Sequence, residues 1–150
     1  MKPVLLVEDT QTDIMLMRYV WREVEVPNPL HVVEDGQCAI DYLAGVGQFA
    51  DRLAHPLPCL VLLDLKIPYF SGHEVLQWIR QQPALKAMPV IILTSSTNDE
   101  DISQAYALGA NAYLEKPMGM PRLKEMITHL RGFWLSFARS PYDPFASIHK

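Results

Sequence analysis

Short apolar stretches recur along this chain, and each breaks off at a polar or charged residue. They run over 3–7 "PVLLV", 30–34 "LHVVE", 59–63 "CLVLL", 89–94 "PVIILT" and 111–115 "NAYLE". Several are continuous rather than alternating, the pattern of strands covered on both faces. Between them lie longer segments of helical period, near 11–25, 36–45, 72–82 and 99–108, with a last one from 119 into the 130s. Strands that alternate strictly with helices cross over between parallel neighbours. The spacing therefore predicts an α/β fold: a doubly wound parallel sheet of five strands with five helices. At 150 residues the chain is the size of one domain and can bury a core without staples.

Local chemistry supports these boundaries. Asn98 or Asp99 is placed to cap the fourth helix, whose acidic start "NDED" suits the positive end of the helix dipole. Pro121 fits the first turn of the fifth. The longest connection, 45–58 "GVGQFADRLAHPLP", reads as a surface loop with some local helix. From Ser140 onward, "SPYDPFASIHK" has two prolines and no helical period. We expect a folded unit over 1–139, an extended or mobile tail over 140–150, and no output domain.

Several function classes are disfavoured. A net charge of −4 with no basic cluster gives no footprint for nucleic acid. The apolar runs stop far short of the roughly 20 residues needed to span a bilayer, and "MKPVLLVED" meets acid too early for a signal peptide. Cys38 and Cys59 have no metal or redox spacing and read as buried thiols in a reducing cytoplasm. Neither GxGxxG nor GxxxxGK[ST] occurs, and the histidines form no metal-spaced set. His73 reads as a solvated helix-start residue, and Trp21 and Trp78 as core.

In a doubly wound sheet, ligands bind at the carboxyl ends of the strands. The first strand ends in Glu8-Asp9, the third in Asp64, the fourth in Thr94-Ser95-Ser96, and the fifth near Lys116-Pro117. Taken singly, each has an ordinary reading: Asp64 as a turn cap, Glu8-Asp9 as helix capping with Thr10, Lys116 as a solvated lysine. Together they place three carboxylates, a hydroxyl and an ammonium on one edge. Carboxylates so crowded repel unless a cation neutralises them, and Mg²⁺, a hard ion with oxygen ligands, suits that role. With Mg²⁺ present, Asp64 can stay ionised and attack a phosphoryl group. Lys116 and Thr94 would then receive the phosphoryl oxygens.

The ordered set "VLLVEDTQTD", "LLDLKIPYFSG", "PVIILTSS" and "YLEKP" resembles the receiver domain of two-component response regulators, over almost the whole chain. The resemblance implies a flavodoxin-like sheet of order 2-1-3-4-5. It implies Asp64 as phosphoacceptor, and Glu8, Asp9, Asp64 and the backbone carbonyl of Lys66 around Mg²⁺. Thr94 would be the switch hydroxyl, Lys116 the phosphate-binding lysine and Tyr113 the aromatic that changes rotamer. The Lys116–Pro117 peptide would be cis. Lys66 and Ser96 would occupy the positions that tune loss of the phosphoryl group. A narrower resemblance, carried by "VEDGQCAIDYLAGVGQFAD", "YALGANAYLEKP" and the "FW" of the last helix, is to stand-alone regulators paired with phytochromes.

The resemblance implies a sensor histidine kinase as partner, the narrower one a kinase of phytochrome type, and a phosphoacceptor switch rather than an enzyme. Leu123, Met126, Ile127 and Leu130 recur at helical spacing, and Phe133, Trp134, Leu135 and Phe137 add more apolar surface than one inward stripe uses. We therefore expect a homodimer through the face of the fourth helix, fifth strand and fifth helix, with Phe133 and Trp134 contributing. Two other readings compete. One is a pseudo-receiver that binds partners without phosphorylation. The other is a haloacid-dehalogenase-type phosphatase, which would need a second Asp where Lys66 stands.

Overall fold

The computed structural model describes residues 1–141, so the expectation of an extended tail over 140–150 falls almost entirely outside the described residues. In chain order the elements are β1 (Val4–Val7), α1 (Gln11–Glu23), β2 (Leu30–Val33), α2 (Gly36–Ala44), β3 (Leu60–Leu63), α3 (Gly72–Gln81), β4 (Val90–Thr94), α4 (Asp99–Ala107), β5 (Ala112–Glu115) and α5 (Met120–Phe133). The five strands form one parallel sheet of order β2-β1-β3-β4-β5. Strands β1, β3 and β4 are buried along their whole length, as continuous apolar runs require.

The sheet separates two apolar layers. On one face Leu5, Val7, Val61, Leu63 and Ile92 pack with Leu43, Leu76 and Ile79 of α2 and α3. On the other, Leu6, Leu62 and Ile91 pack with Met17 and Trp21 of α1 and Ile127 of α5. Alternate residues of one strand thus feed opposite layers, which fixes the register. Trp21 is buried and donates its indole N–H to Asn28 O at 2.7 Å, while Trp78 packs half-buried against the α2–α3 layer. Cys38 and Cys59 are thiols, but both are only partly buried. Each sits at the edge of a layer, within reach of Asp35 Oδ2 and Lys2 O respectively.

The helix ends carry the expected caps. Asn98 caps α4, accepting from Glu100 N–H at 2.8 Å, and Ser71 and Glu74 form a reciprocal capping box on α3. The 45–58 connection holds a single short 3-10 turn, Gly47–Phe49, and is fastened by Arg52. Its guanidinium donates to Tyr42 O (2.7 Å), Leu43 O (2.8 Å) and His55 O (2.9 Å). Two of those carbonyls lie in the last turn of α2, where Tyr42 O also accepts from the Gly45 N–H at 3.1 Å. Tyr42, fully buried, donates its hydroxyl to Pro56 O at 2.9 Å.

Candidate functional site

Register brings the strand-end residues together. Val7 pairs with Leu63, so Glu8 and Asp64 emerge side by side, and the Asp64 N–H donates to Val7 O. Thr94 pairs with Glu115, and the Lys116 N–H donates to Thr94 O at 2.8 Å, which sets Lys116 beside the end of β4. The loop after β3 closes tightly over this edge. Gly72 N–H donates to Leu65 O at 2.9 Å, and a Cβ at Gly72 would lie 2.3 Å from Asp64 O. Only glycine lets α3 start that near the acidic edge.

Glu8 and Asp64 are buried, whereas Asp9 is exposed. One carboxylate oxygen from each of the three lies within 4.8 Å of the others. An all-oxygen set of that span fits a hard divalent cation, which takes ligands at about 2.1 Å and retains waters that bridge the longer gaps. Asp64 Oδ1 also accepts from the Lys66 N–H at 3.4 Å, so the loop main chain folds back over the carboxylate. Helix capping by the Glu8-Asp9-Thr10 group takes a different form from a side-chain cap on Thr10. The Thr10 N–H instead donates to Glu8 Oε2 at 3.2 Å.

Lys116 is the hub of the edge. Its Nζ lies 2.5 Å from Glu8 Oε1, 2.8 Å from Asp64 Oδ2 and 2.9 Å from Asp13 Oδ2. Burial works against the ammonium, but the hydrogen bonds to Asp64, Glu8 and Asp13 outweigh it and hold Lys116 above the ordinary lysine range. Glu8 is pushed up by burial, with Lys116 and the Thr10 N–H opposing. Asp13 was not among the residues expected here. Its only sequence signal, an acid in the first turn of a helix, is equally that of a dipole partner. The Lys116–Pro117 peptide is trans, contrary to the expectation of a cis bond, and trans is the intrinsic preference of X-Pro.

The hydroxyl-bearing corner is a second connected group. Thr94 is 1% exposed, and its Oγ1 accepts from the Ser96 N–H at 3.4 Å. Tyr113 donates its hydroxyl to Ser96 O at 2.9 Å, and burial raises its pKa. Ser96 Oγ in turn donates to Asp101 Oδ2 at 2.6 Å and accepts from the Asn98 N–H. His73 is not the solvated residue expected: its Nε2 donates to Asp101 O at 3.1 Å, tying α3 to α4. Asp101 and His73 were unforeseen as partners of this corner.

Bordering the edge at Lys116 and Pro117, an open groove of about 680 Å³ runs between β5 and α5, floored by Ile91, Leu114, Met126 and Leu130. Phe133 stands 59% exposed at its end. Trp134 lines the same groove. Helix α5 stops at Phe133, the Leu135 N–H returns to Leu130 O, and Trp134 packs half-buried onto the α1–α5 layer.

A five-stranded sheet of this order, with acids, a hydroxyl and a lysine gathered at its carboxyl edge, defines a phosphoacceptor signalling domain rather than a nucleotide-binding one. Residues 4–128 match the response regulator receiver domain, and the chain belongs to that family, the receivers of two-component systems. Among curated relatives it is 36% identical over 140 residues to the response regulator Rcp1 of Synechocystis, covering 93% of each chain. It is 37% identical over 138 residues to FilR2 of Methanothrix harundinacea, named a "probable methanogenesis regulatory protein", covering 92% of this chain and 86% of that one. Among solved structures, the phosphorylated cyanobacterial phytochrome response regulator RcpA superposes with a TM-score of 0.85 at 37% identity, over 93% of this chain and 98% of that one. A Mn²⁺-bound form of Rcp1 superposes with a TM-score of 0.84 at 36% identity, over 94% and 99%. Among the described residues, no helix is long and apolar enough to cross a membrane.

Proposed function

We propose that this chain works as a single receiver domain, folded over 1–139, that takes a phosphoryl group from a sensor histidine kinase onto Asp64. One Asp64 carboxylate oxygen attacks phosphorus as the bond from phosphorus to the donor nitrogen breaks, and that nitrogen keeps the electron pair. Mg²⁺, held by Glu8, Asp9, Asp64 and the Lys66 carbonyl, would neutralise the acids and draw charge from the phosphoryl oxygens. Support for the ion comes from the three clustered carboxylates and from the Mn²⁺-bound form of Rcp1. Lys116 would exchange a carboxylate for a phosphoryl oxygen, and Thr94 would donate its hydroxyl to another. Tyr113 follows through Ser96, so that added phosphate shifts the population of a surface state. The chain is a switch, with no turnover of other substrates.

The observation that carries this reading is the position of Asp64 between the acidic set and the Lys116 ammonium. Incubation with Mg²⁺ and acetyl phosphate, read by intact mass, tests it. A phosphoryl adduct that is lost in Asp64→Asn is expected. A folded, Mg²⁺-binding wild type that never gains the adduct would be a phosphorylation-independent pseudo-receiver instead.

Two further features belong to this reading. The likeness to Rcp1 and RcpA favours a phytochrome-type kinase, and the thiols of Cys38 and Cys59 suit the cytoplasm. The apolar groove and exposed Phe133 favour a homodimer through α4, β5 and α5, with Trp134 acting as the floor beneath Phe133. Sedimentation showing a monomer at tens of micromolar, or a dimer unaffected by Phe133→Ala, would remove the dimer.

A further inference from the structure

Among the described residues, Lys116 has one carboxylate partner outside the acidic set. Glu8 and Asp64 are both partners of the ammonium and members of the cluster that fits a cation. Asp13 is a partner of the ammonium only: it comes from the first turn of α1, its side chain is 41% exposed, and it is absent from the cluster.

We propose that Asp13 is a positioning residue that receives Lys116 when a divalent cation enters the acidic cluster. Lys116 neutralises Glu8 and Asp64, the very charges an incoming cation needs. A lysine held by those two alone would have to leave for solvent, or stay and repel the ion. Asp13 Oδ2, already 2.9 Å away, offers a carboxylate that the ion does not claim. Lys116 can thus release Glu8 and Asp64 while keeping a counter-ion, and it stays beside Asp64, where the phosphoryl group would arrive. The inference rests on the metal reading of the cluster. A plain helix-dipole role for Asp13 would stabilise α1 whether or not Lys116 were present.

The test is calorimetric titration of Mg²⁺ into wild type, Asp13→Asn, Lys116→Met and the double variant. Asp13→Asn should weaken Mg²⁺ binding about fivefold when Lys116 is present, and less than about twofold when it is methionine. Equal factors in both backgrounds would overturn the inference while leaving the site reading intact; a wild type that binds no Mg²⁺ would overturn both. Should Lys116→Met not fold, reductive methylation of Lys116, mapped by mass in Mg²⁺-saturated protein, gives a second readout. Labelling should be several-fold faster in Asp13→Asn than in wild type, with other lysines unchanged. Identical Lys116 labelling overturns the inference.

Discussion

Lys116 Nζ stands 2.8 Å from Asp64 Oδ2, joining the first residue beyond β5 to the first residue beyond β3 across the end of β4. The same ammonium neutralises buried Glu8, so one side chain holds the strand-end acids in place. Lys116→Met should therefore destabilise the metal-free protein by about 2 kcal/mol at pH 7.5, because a buried carboxylate loses its partner. Burial already raises the Glu8 pKa, and loss of the lysine raises it further. A carboxylate with a raised folded-state pKa stabilises at low pH and loses that contribution as pH rises. Urea melts should thus show a smaller penalty at pH 5 than at pH 7.5; an equal penalty at both would contradict this account.

Arg52 makes three carbonyl hydrogen bonds that fasten the 45–58 connection to the end of α2. Arg52→Ala should cost about 2 kcal/mol, measured by thermal or urea unfolding. Arg52→Lys should recover less than half of that, because an ammonium cannot present the planar fork that reaches several carbonyls at once. Full recovery by lysine would mean that charge, not geometry, fastens the loop.

Ser96→Ala removes the hydroxyl that donates to Asp101 and leaves the backbone carbonyl available to Tyr113. The expected loss in global stability is about 1 kcal/mol. Hydrogen exchange should quicken across α4, Asp99–Ala107, while amides of β1 and β3 stay protected. Unchanged exchange in α4 would show that the hydroxyl does not restrain it.

The β2–α2 corner makes stability depend on pH at both ends of the scale. Tyr42 has one hydroxyl proton, which it gives to Pro56 O, so His31 Nδ1, 2.7 Å away, is the donor between them. Burial, with help from His55 and Arg18, lowers the His31 pKa below its usual 6.5. Its contribution is therefore present above about pH 6.5 and lost as pH falls through the lowered value. Burial pushes Tyr42 up to about 12. Its contribution is complete below about pH 10 and lost as pH rises towards 12, on the order of 2 kcal/mol. Urea midpoints should fall on both sides, and His31→Gln should flatten the acid limb between pH 7.5 and 5.5. An acid limb of unchanged slope would exclude His31 as its source.

Much of this molecule was legible because strands and helices announce themselves by period and by what ends them. Asp64, Glu8 and Lys116 were readable because each follows an apolar run, and a parallel sheet must gather such positions on one edge. Asp13, Asp101 and His73 were not. Each sits in a first helical turn, where an acid or a polar ring has an ordinary local reading; Asp13 and His73 find partners on other elements, and Asp101 finds Ser96 in the loop before its own helix. Period says which face a residue occupies but not how far its side chain reaches. Helical spacing reaches Trp134, whose backbone is still helical where α5 ends, but spacing alone does not say that the indole packs half-buried while Phe133 stays exposed. The cis bond at Lys116–Pro117 came from family likeness alone, and the trans bond found there shows no such feature.

Ser96 makes four attachments in four directions: its N–H to Thr94, its carbonyl to Tyr113, its hydroxyl to Asp101, and its oxygen to the Asn98 N–H. A single peptide segment that is fastened to β4, β5 and α4 cannot let them drift separately. The surface made by α4 and β5 should therefore speak in one bit rather than in shades. Reciprocity then applies: a target that grips α4 in one state must favour the matching arrangement at Thr94 by the same free energy. The listener, in such a domain, has a hand on the message.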